Sequence, residues 1–210
     1  MLSTIGGKIM RRTKDDAEQT REEILNAATY VFGEKGFSRS TLDEIAKKAN
    51  VTRGAIYWHF KNKGEIFDAI HTRLHHDFMS IVKDTLSVKS ANPVEQLKKL
   101  CIQLMQDLEH DELKKQAVIL FLIKTDYSGE LAIYKEKHRK DKTESMVIFQ
   151  NNFISGMAKN IISKNYDPEA LSLSVVCLMR GMLLEYLLQP EYFDINTRSE
   201  QIFNILFDNL

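Results

Sequence analysis

Between Gly36 and Phe60 the chain carries start and stop signals so closely spaced that only short helices fit between them. Gly36 ends an amphipathic stretch in the role of a left-handed C-terminal cap. Thr41 and Glu44, three residues apart, form a capping box that opens a second helix, about Leu42 to Ala49. Asn50 tolerates the left-handed conformation that a tight turn needs. Thr52 then caps a third helix, Arg53 to Phe60. Two short helices joined by a turn of three or four residues, with a helix before them, make a helix-turn-helix unit. Ala46 is small enough for close packing at the turn, and Val51 and Ile56 fill the angle between the helices.

The remaining pattern is helical as well. The first helix runs from about Asp15 to Glu34, with Ile24, Leu25, Ala28, Val31 and Phe32 on one stripe. Asn62 and Glu65 form another capping pair, opening a fourth helix toward Val82. The three prolines, Pro93, Pro168 and Pro190, fall where amphipathic patterns start or stop, and strand-like alternation is absent. Further helices are expected over Pro93–Glu109, Asp111–Lys124, Gly129–Ile162, Pro168 to before Pro190, and Thr197–Asn209. The expected fold is all-α, with three helices in an N-terminal domain and six in a C-terminal one. The domain boundaries implied are an arm at residues 1–10, a helix-turn-helix domain at 11–62, and a larger domain at 63–210.

A formal net charge of zero looks wrong for a nucleic-acid binder, but it averages two unequal parts. Residues 1–65 hold 12 Lys/Arg against 9 Asp/Glu, and the remainder 17 against 20. That asymmetry points to a modestly basic contact domain. Cys101 and Cys177 sit in apolar runs, which implies two buried thiols and a reducing compartment. The apolar run Leu171 to Leu188 is interrupted by Arg180 and Glu185, so a membrane span is not expected, and no signal peptide is visible. The expected location is cytoplasmic. Met10, followed by Arg11-Arg12-Thr13-Lys14, reads as an alternative start to Met1, with a basic arm suited to a minor groove.

A third helix that buries Ile56 and Phe60 leaves Thr52, Arg53, Gly54, Tyr57, Trp58 and His59 for contacts outside the fold. Arg53 in its first turn can bind guanine bidentately in a major groove. Gly54 lets the backbone come close, and the free amides of the first turn favour phosphate. Thr52, Tyr57 and His59 can donate to phosphates at the groove edge. Thr41 and Lys63, each opening a neighbouring helix, add phosphate clamps. Phosphate contacts position such a protein and base contacts specify the sequence.

The stretch from Thr20-Arg21 to Ile66-Phe67 resembles the DNA-binding domain of the TetR family of bacterial repressors. Arg11 to Lys14 and Val51 to Phe60 resemble the AcrR- and TtgR-like subgroup, which controls multidrug efflux. Thinner matches occur at Lys124, Gly129-Glu130, Tyr186 to Pro190 and Phe193-Asp194. The resemblance implies a homodimer on a near-palindromic operator, with the last two helices of each chain forming the interface and Gly181 allowing close approach. It also implies a chamber in the C-terminal domain for a hydrophobic or amphipathic effector whose binding releases the operator. The matched positions are His75 and Phe78 on the fourth helix, Leu100 and Leu104 on the fifth, and Val118 and Leu122 on the sixth. On the seventh and eighth they are His138, Phe149, Val176, Met179 and Leu183. Two positions depart from the pattern. Asn50 stands where relatives carry glycine, and His71-Thr72-Arg73-Leu74-His75-His76 stands where some relatives carry a glutamate for cationic drugs. Glu130 and Asp126 are candidates to compensate.

His71 and His75 lie four apart, a metal-ligand spacing, with His76 and Asp77 beside them. A metal-sensing or activating helix-turn-helix regulator is therefore the alternative reading. No phosphate loop, nucleophile elbow or two-cysteine motif suggests an enzyme, and neither a metal nor another cofactor is expected.

Overall fold

The computed structural model describes residues 14–210, so the basic arm and the choice of start fall outside the described residues. Those described form nine α-helices and no strand. They are α1 (Lys14–Lys35), α2 (Leu42–Lys48), α3 (Arg53–His59), α4 (Lys63–Leu86), α5 (Pro93–Gln106), α6 (Glu112–Ile119), α7 (Lys135–Ala158), α8 (Pro168–Leu188) and α9 (Ile195–Phe207). Their starts are chemically marked. Asn62, Asn92, Asp111, Asp167 and Asp194 each accept from backbone amides of the first turn that no helical carbonyl reaches. The stops are marked too. Gly36 has φ +80° and its amide donates to the Phe32 carbonyl, and Asn160 takes φ +56° just past the end of α7.

Two elements differ from the sequence expectation. The sixth helix ends at Ile119 and continues as a π-helical turn, Leu120–Lys124. The seventh begins as a 3₁₀ stretch, Gly129–Tyr134, before α7 proper. Long-range contacts impose the first change. Within the π turn the Lys124 ammonium donates to the carbonyls of Gly33 and Glu34, tying the turn to the end of α1.

Side chains pack into two apolar clusters. One joins α1, α2 and α3 to the first half of α4 through Ile66, Phe67 and Ile70, and extends to Ala117, Leu120 and Leu131. The other joins α5, α7, α8 and α9 around Leu97, Cys101, Phe149, Phe153, Val175 and Phe203, and reaches Val82 near the end of α4. Helix α4, 24 residues and about 36 Å long, therefore belongs to both. Gly33 brings α1 against α6: a Cβ there would stand 3.1 Å from both the Cβ and the carbonyl oxygen of Gln116. Arg73 of α4 donates to the side chains of Glu22 and Asn26 on α1, at 2.8 Å each.

Helix α8 keeps apolar groups on its outer face. Leu173, Leu184 and Leu188 are exposed, and so is Cys177, contrary to the expectation of two buried thiols; only Cys101 is buried. The reason is register, because Val175, Met179 and Met182 take the inner face. Gly181 faces open space. By length and composition α8 could cross a membrane, but it carries Arg180 and Glu185 and lies packed against α7.

Candidate nucleic-acid interface and effector cavity

The turn between α2 and α3 is built as its residues require. The Thr41 hydroxyl accepts from the Glu44 amide and the Glu44 carboxylate accepts from the Thr41 amide, completing the box. Lys35 donates to the same carboxylate and holds its pKa down at about 2. Asn50 adopts φ +54°, and the Val51 amide closes the turn on the Ala46 carbonyl at 3.0 Å. The Thr52 hydroxyl accepts from the Ala55 amide at 3.1 Å, which leaves its own proton to donate outward.

Of α3, only Ile56 is buried. Arg53, Gly54, Tyr57 and Trp58 are exposed, Trp58 at 73%, and His59 is half-buried with its ring edge-on to Trp58. Arg53 is already engaged. Its guanidinium donates to the Asp43 carboxylate at 3.2 Å and to the Tyr57 hydroxyl at 3.1 Å, and these partners raise its pKa. Both partners are exposed, so the arrangement is a resting position that a stronger acceptor can take over at small cost.

The phosphate clamp expected at Lys63 is not what the structure shows. Its ammonium donates to the carbonyls of Phe37 and Ser40, at 2.8 and 3.0 Å, and lies 4.2 Å from the centre of the Phe37 ring. The side chain is spent on the loop between α1 and α2, whose carbonyls have no helical partner. No local signal separates this use from an outward one, since it depends on a loop some 23 residues away.

Past the middle of α4 a cavity of about 300 Å³ opens among α4, α5, α6, α7 and α8. Six sequence-expected residues line it: His75, Phe78, Leu104, Val118, Met179 and Leu183. Five do not. Leu100 and Phe149 are each 1% exposed within the cluster that joins α5, α7, α8 and α9, and Val176 packs against that same cluster. The wall lies one turn further on, at Leu104 and Met105 of α5 and Leu108 just past its end. Leu122 is displaced from the wall and Phe121 takes its place. Phe121 follows Val118 by three residues, the spacing of neighbours on one helical face, and Leu122, expected from the family resemblance, lies outside the wall.

The fifth residue, His138, lies beside the cavity in a buried polar cluster. Its Nε2 is 3.1 Å from Asp68 and its Nδ1 2.7 Å from the Tyr127 hydroxyl, which a neutral ring protonated at Nε2 satisfies on both sides. His71 stacks on it, with centroids 3.4 Å apart and planes within 6°. Burial, then the neighbouring His138, push the His71 pKa down to about 3. Burial also lowers the pKa of His138. His71 and His75 are thus a ring cluster and a wall, and among the described residues no group of three His, Cys, Asp or Glu could hold a metal ion.

Sequence reasoning missed the polar part of the wall: His71, Lys114, Lys142, Ser145 and Arg180. Arg180 carried a signal, as an isolated cation in an otherwise apolar helix. Glu130 and Asp126, the suggested acids, are exposed and do not reach the cavity.

Comparison with known proteins agrees with this architecture. Residues 24–70 match the family model of bacterial regulatory proteins of the tetR family, and residues 92–210 that of the MAATS-type transcriptional repressor C-terminal region. The chain is 28% identical over 201 residues to the HTH-type transcriptional repressor BepR of Brucella suis, covering 96% of each. It superposes with a TM-score of 0.81 on NalD, the secondary repressor of the MexAB-OprM multidrug efflux pump of Pseudomonas aeruginosa, at 28% identity over 94% of this chain and 98% of that one. It superposes with a TM-score of 0.77 on SmeT of Stenotrophomonas maltophilia in its triclosan complex, at 27% identity over 89% of this chain and 90% of that one. With the second of those models spanning more than half of its length and the first its helix-turn-helix, the chain belongs to the TetR family of bacterial transcriptional regulators.

Proposed function

We propose that this protein is a cytoplasmic, dimeric repressor of an efflux operon, released from its palindromic operator when a hydrophobic or amphipathic effector fills the cavity. The observation that carries this reading is the double membership of α4. Its first half packs through Ile66, Phe67 and Ile70 into the cluster that holds α3, and its second half presents His75, Phe78 and Ile81 to the cavity. A ligand that widens the cavity must displace α4, and Arg73 and Lys63 pass that displacement to α1 and to the loop before α2. Release then results from the ligand's higher affinity for the displaced form.

In this reading Arg53 leaves Asp43 to read a base. Thr41, Thr52, Tyr57, Trp58 and His59 contact backbone or groove edge, and Gly54 admits the phosphate chain. The functional division falls inside α4, not at its start. The exposed apolar groups of α8, with Ile205 of α9 at 70% exposure, form the contact with a second copy, where Gly181 admits a neighbouring helix. Such a dimer places two copies of α3 at the spacing of a helical turn of DNA, roughly 34–36 Å.

The test is selection of binding sites from random DNA by the full chain, followed by titration of the recovered site with small amphiphiles. The expected result is a palindrome bound by two chains and released by at least one amphiphile. Recovery of non-palindromic sites, or a complex indifferent to every compound that binds the free protein, would overturn the reading.

A further inference from the structure

The charged groups that line the cavity are all of one sign. Lys114 of α6, Lys142 of α7 and Arg180 of α8 reach it, and no carboxylate does. Of the other cations on α4 and α7, Lys137 pairs with Asp68, Lys83 with Glu144, Arg73 with Glu22 and Arg139 with Glu136, whereas Lys135 and Lys140 form no ion pair among the described residues and do not line the cavity. Lys142 and Arg180 have no ion-pair partner among the described residues, and Lys114 only grazes Asp111 at 3.9 Å. The Lys142 ammonium is pushed below its ordinary pKa by partial burial and then by the like charge of Arg180. Of the acids nearest the wall, Glu144 accepts from His75 and Lys83, whereas Asp141 stands 3.5 Å from a neutral His71 whose Nδ1 makes no hydrogen bond, and it does not reach the cavity. Lys142 and Arg180 are exposed to solvent, yet both line the apolar chamber and interact as like charges without a counter-charge, an arrangement that an anion bound beside them relieves.

We infer that the cavity takes a small amphiphile with one anionic headgroup, its tail against Phe78, Leu104 and Val118 and its headgroup between Lys142 and Arg180. This rests on the reading of the cavity as the effector site. A volume of about 300 Å³ lies at the lower end of ligand pockets, roughly 300–1,000 Å³, and suits one short chain or one or two rings. A cationic amphiphile meets like charges with no acid to receive it, which is discrimination by repulsion.

Titration calorimetry on the full chain tests this with three probes that share a decyl tail, each below its micellar concentration: decanoate, decanol and decyltrimethylammonium. Decanoate is expected to bind tightest and to weaken with added salt. The double variant Lys142→Gln, Arg180→Gln is expected to lose roughly tenfold in decanoate affinity, as removal of charge-assisted hydrogen bonds implies, and to change for decanol by no more than about twofold. Decyltrimethylammonium binding as tightly as decanoate, or decanoate unaffected by the double substitution, would overturn the inference while leaving the cavity an effector site. Binding of none of the three to the unaltered chain would overturn both. If the double variant does not fold, the order of the three probes on the unaltered chain still decides.

Discussion

The DNA-reading face and the cavity are built by different kinds of interaction. The reader is local: Thr41, Glu44, Asn50 and Thr52 set two helices and their turn within about a dozen residues, and each does what its side chain does in any protein. The cavity is distributed: its walls come from five helices spread from His71 to Leu183, and none of them alone defines a surface. The lesson is that a region fixed by neighbours in sequence can change one function at a time, whereas a region fixed by packing couples stability, pH response and ligand choice.

The largest expected effect breaks the distributed side. Phe153 is fully buried in the cluster that joins α5, α7, α8 and α9, and Phe153→Ala should lower unfolding free energy by about 3–5 kcal/mol, read as a reduced denaturant midpoint. Arg53→Ala should leave that midpoint within about 0.5 kcal/mol, because its side chain is exposed. It should instead cost about 1–3 kcal/mol of specific operator binding and relax the choice of base at one position per half-site. Equal discrimination between operator and mismatched DNA before and after the change would remove Arg53 from base reading. A loss of stability in Arg53→Ala comparable to that in Phe153→Ala would erase the contrast itself.

A third effect sharpens it. Burial, then the neighbouring His138, hold the pKa of His71 down at about 3, and burial lowers that of His138 as well. The unfolded chain takes up a proton on His71 as pH falls below roughly 6.5, and the folded chain does so only near pH 3. The contribution of His71 to stability is therefore fully present above roughly pH 6.5 and is lost progressively toward pH 3. Between pH 7 and 5 the loss should be on the order of 1–2 kcal/mol, and His71→Phe should flatten it in urea titrations at the two pH values. An unchanged slope in the variant would mean that other groups set the acid response. The smallest effect returns to the reader. Thr52→Ala removes a cap and should cost about 1 kcal/mol of stability, while Thr52→Asn restores the cap. DNA affinity that tracks the cap in both variants would show Thr52 acting through helix geometry, and affinity lost in both would show the hydroxyl touching phosphate.

The sequence was most legible where its rules act over short range. The capping box at Thr41, the left-handed Asn50 and the cap at Thr52 all stand where the residues place them. Lys63 was misread because its partners, the carbonyls of Phe37 and Ser40, are brought to it by the fold. Phe78 and Leu104, expected from the family resemblance, lie on the wall, whereas Leu122 does not, and Phe121, three residues after Val118, stands there instead.

By itself, then, the amino-acid order determined an all-helical chain, its punctuation and its helix-turn-helix, since capping and turn conformations depend on a few adjacent residues. Only the tertiary structure decided that Arg53 rests on Asp43, that His71 and His138 stack, and that Lys142 and Arg180 both line an apolar chamber without an ion-pair partner. Those relations join residues ten to seventy positions apart. Their energies come from burial and charge at close range, which exist only once the helices have packed.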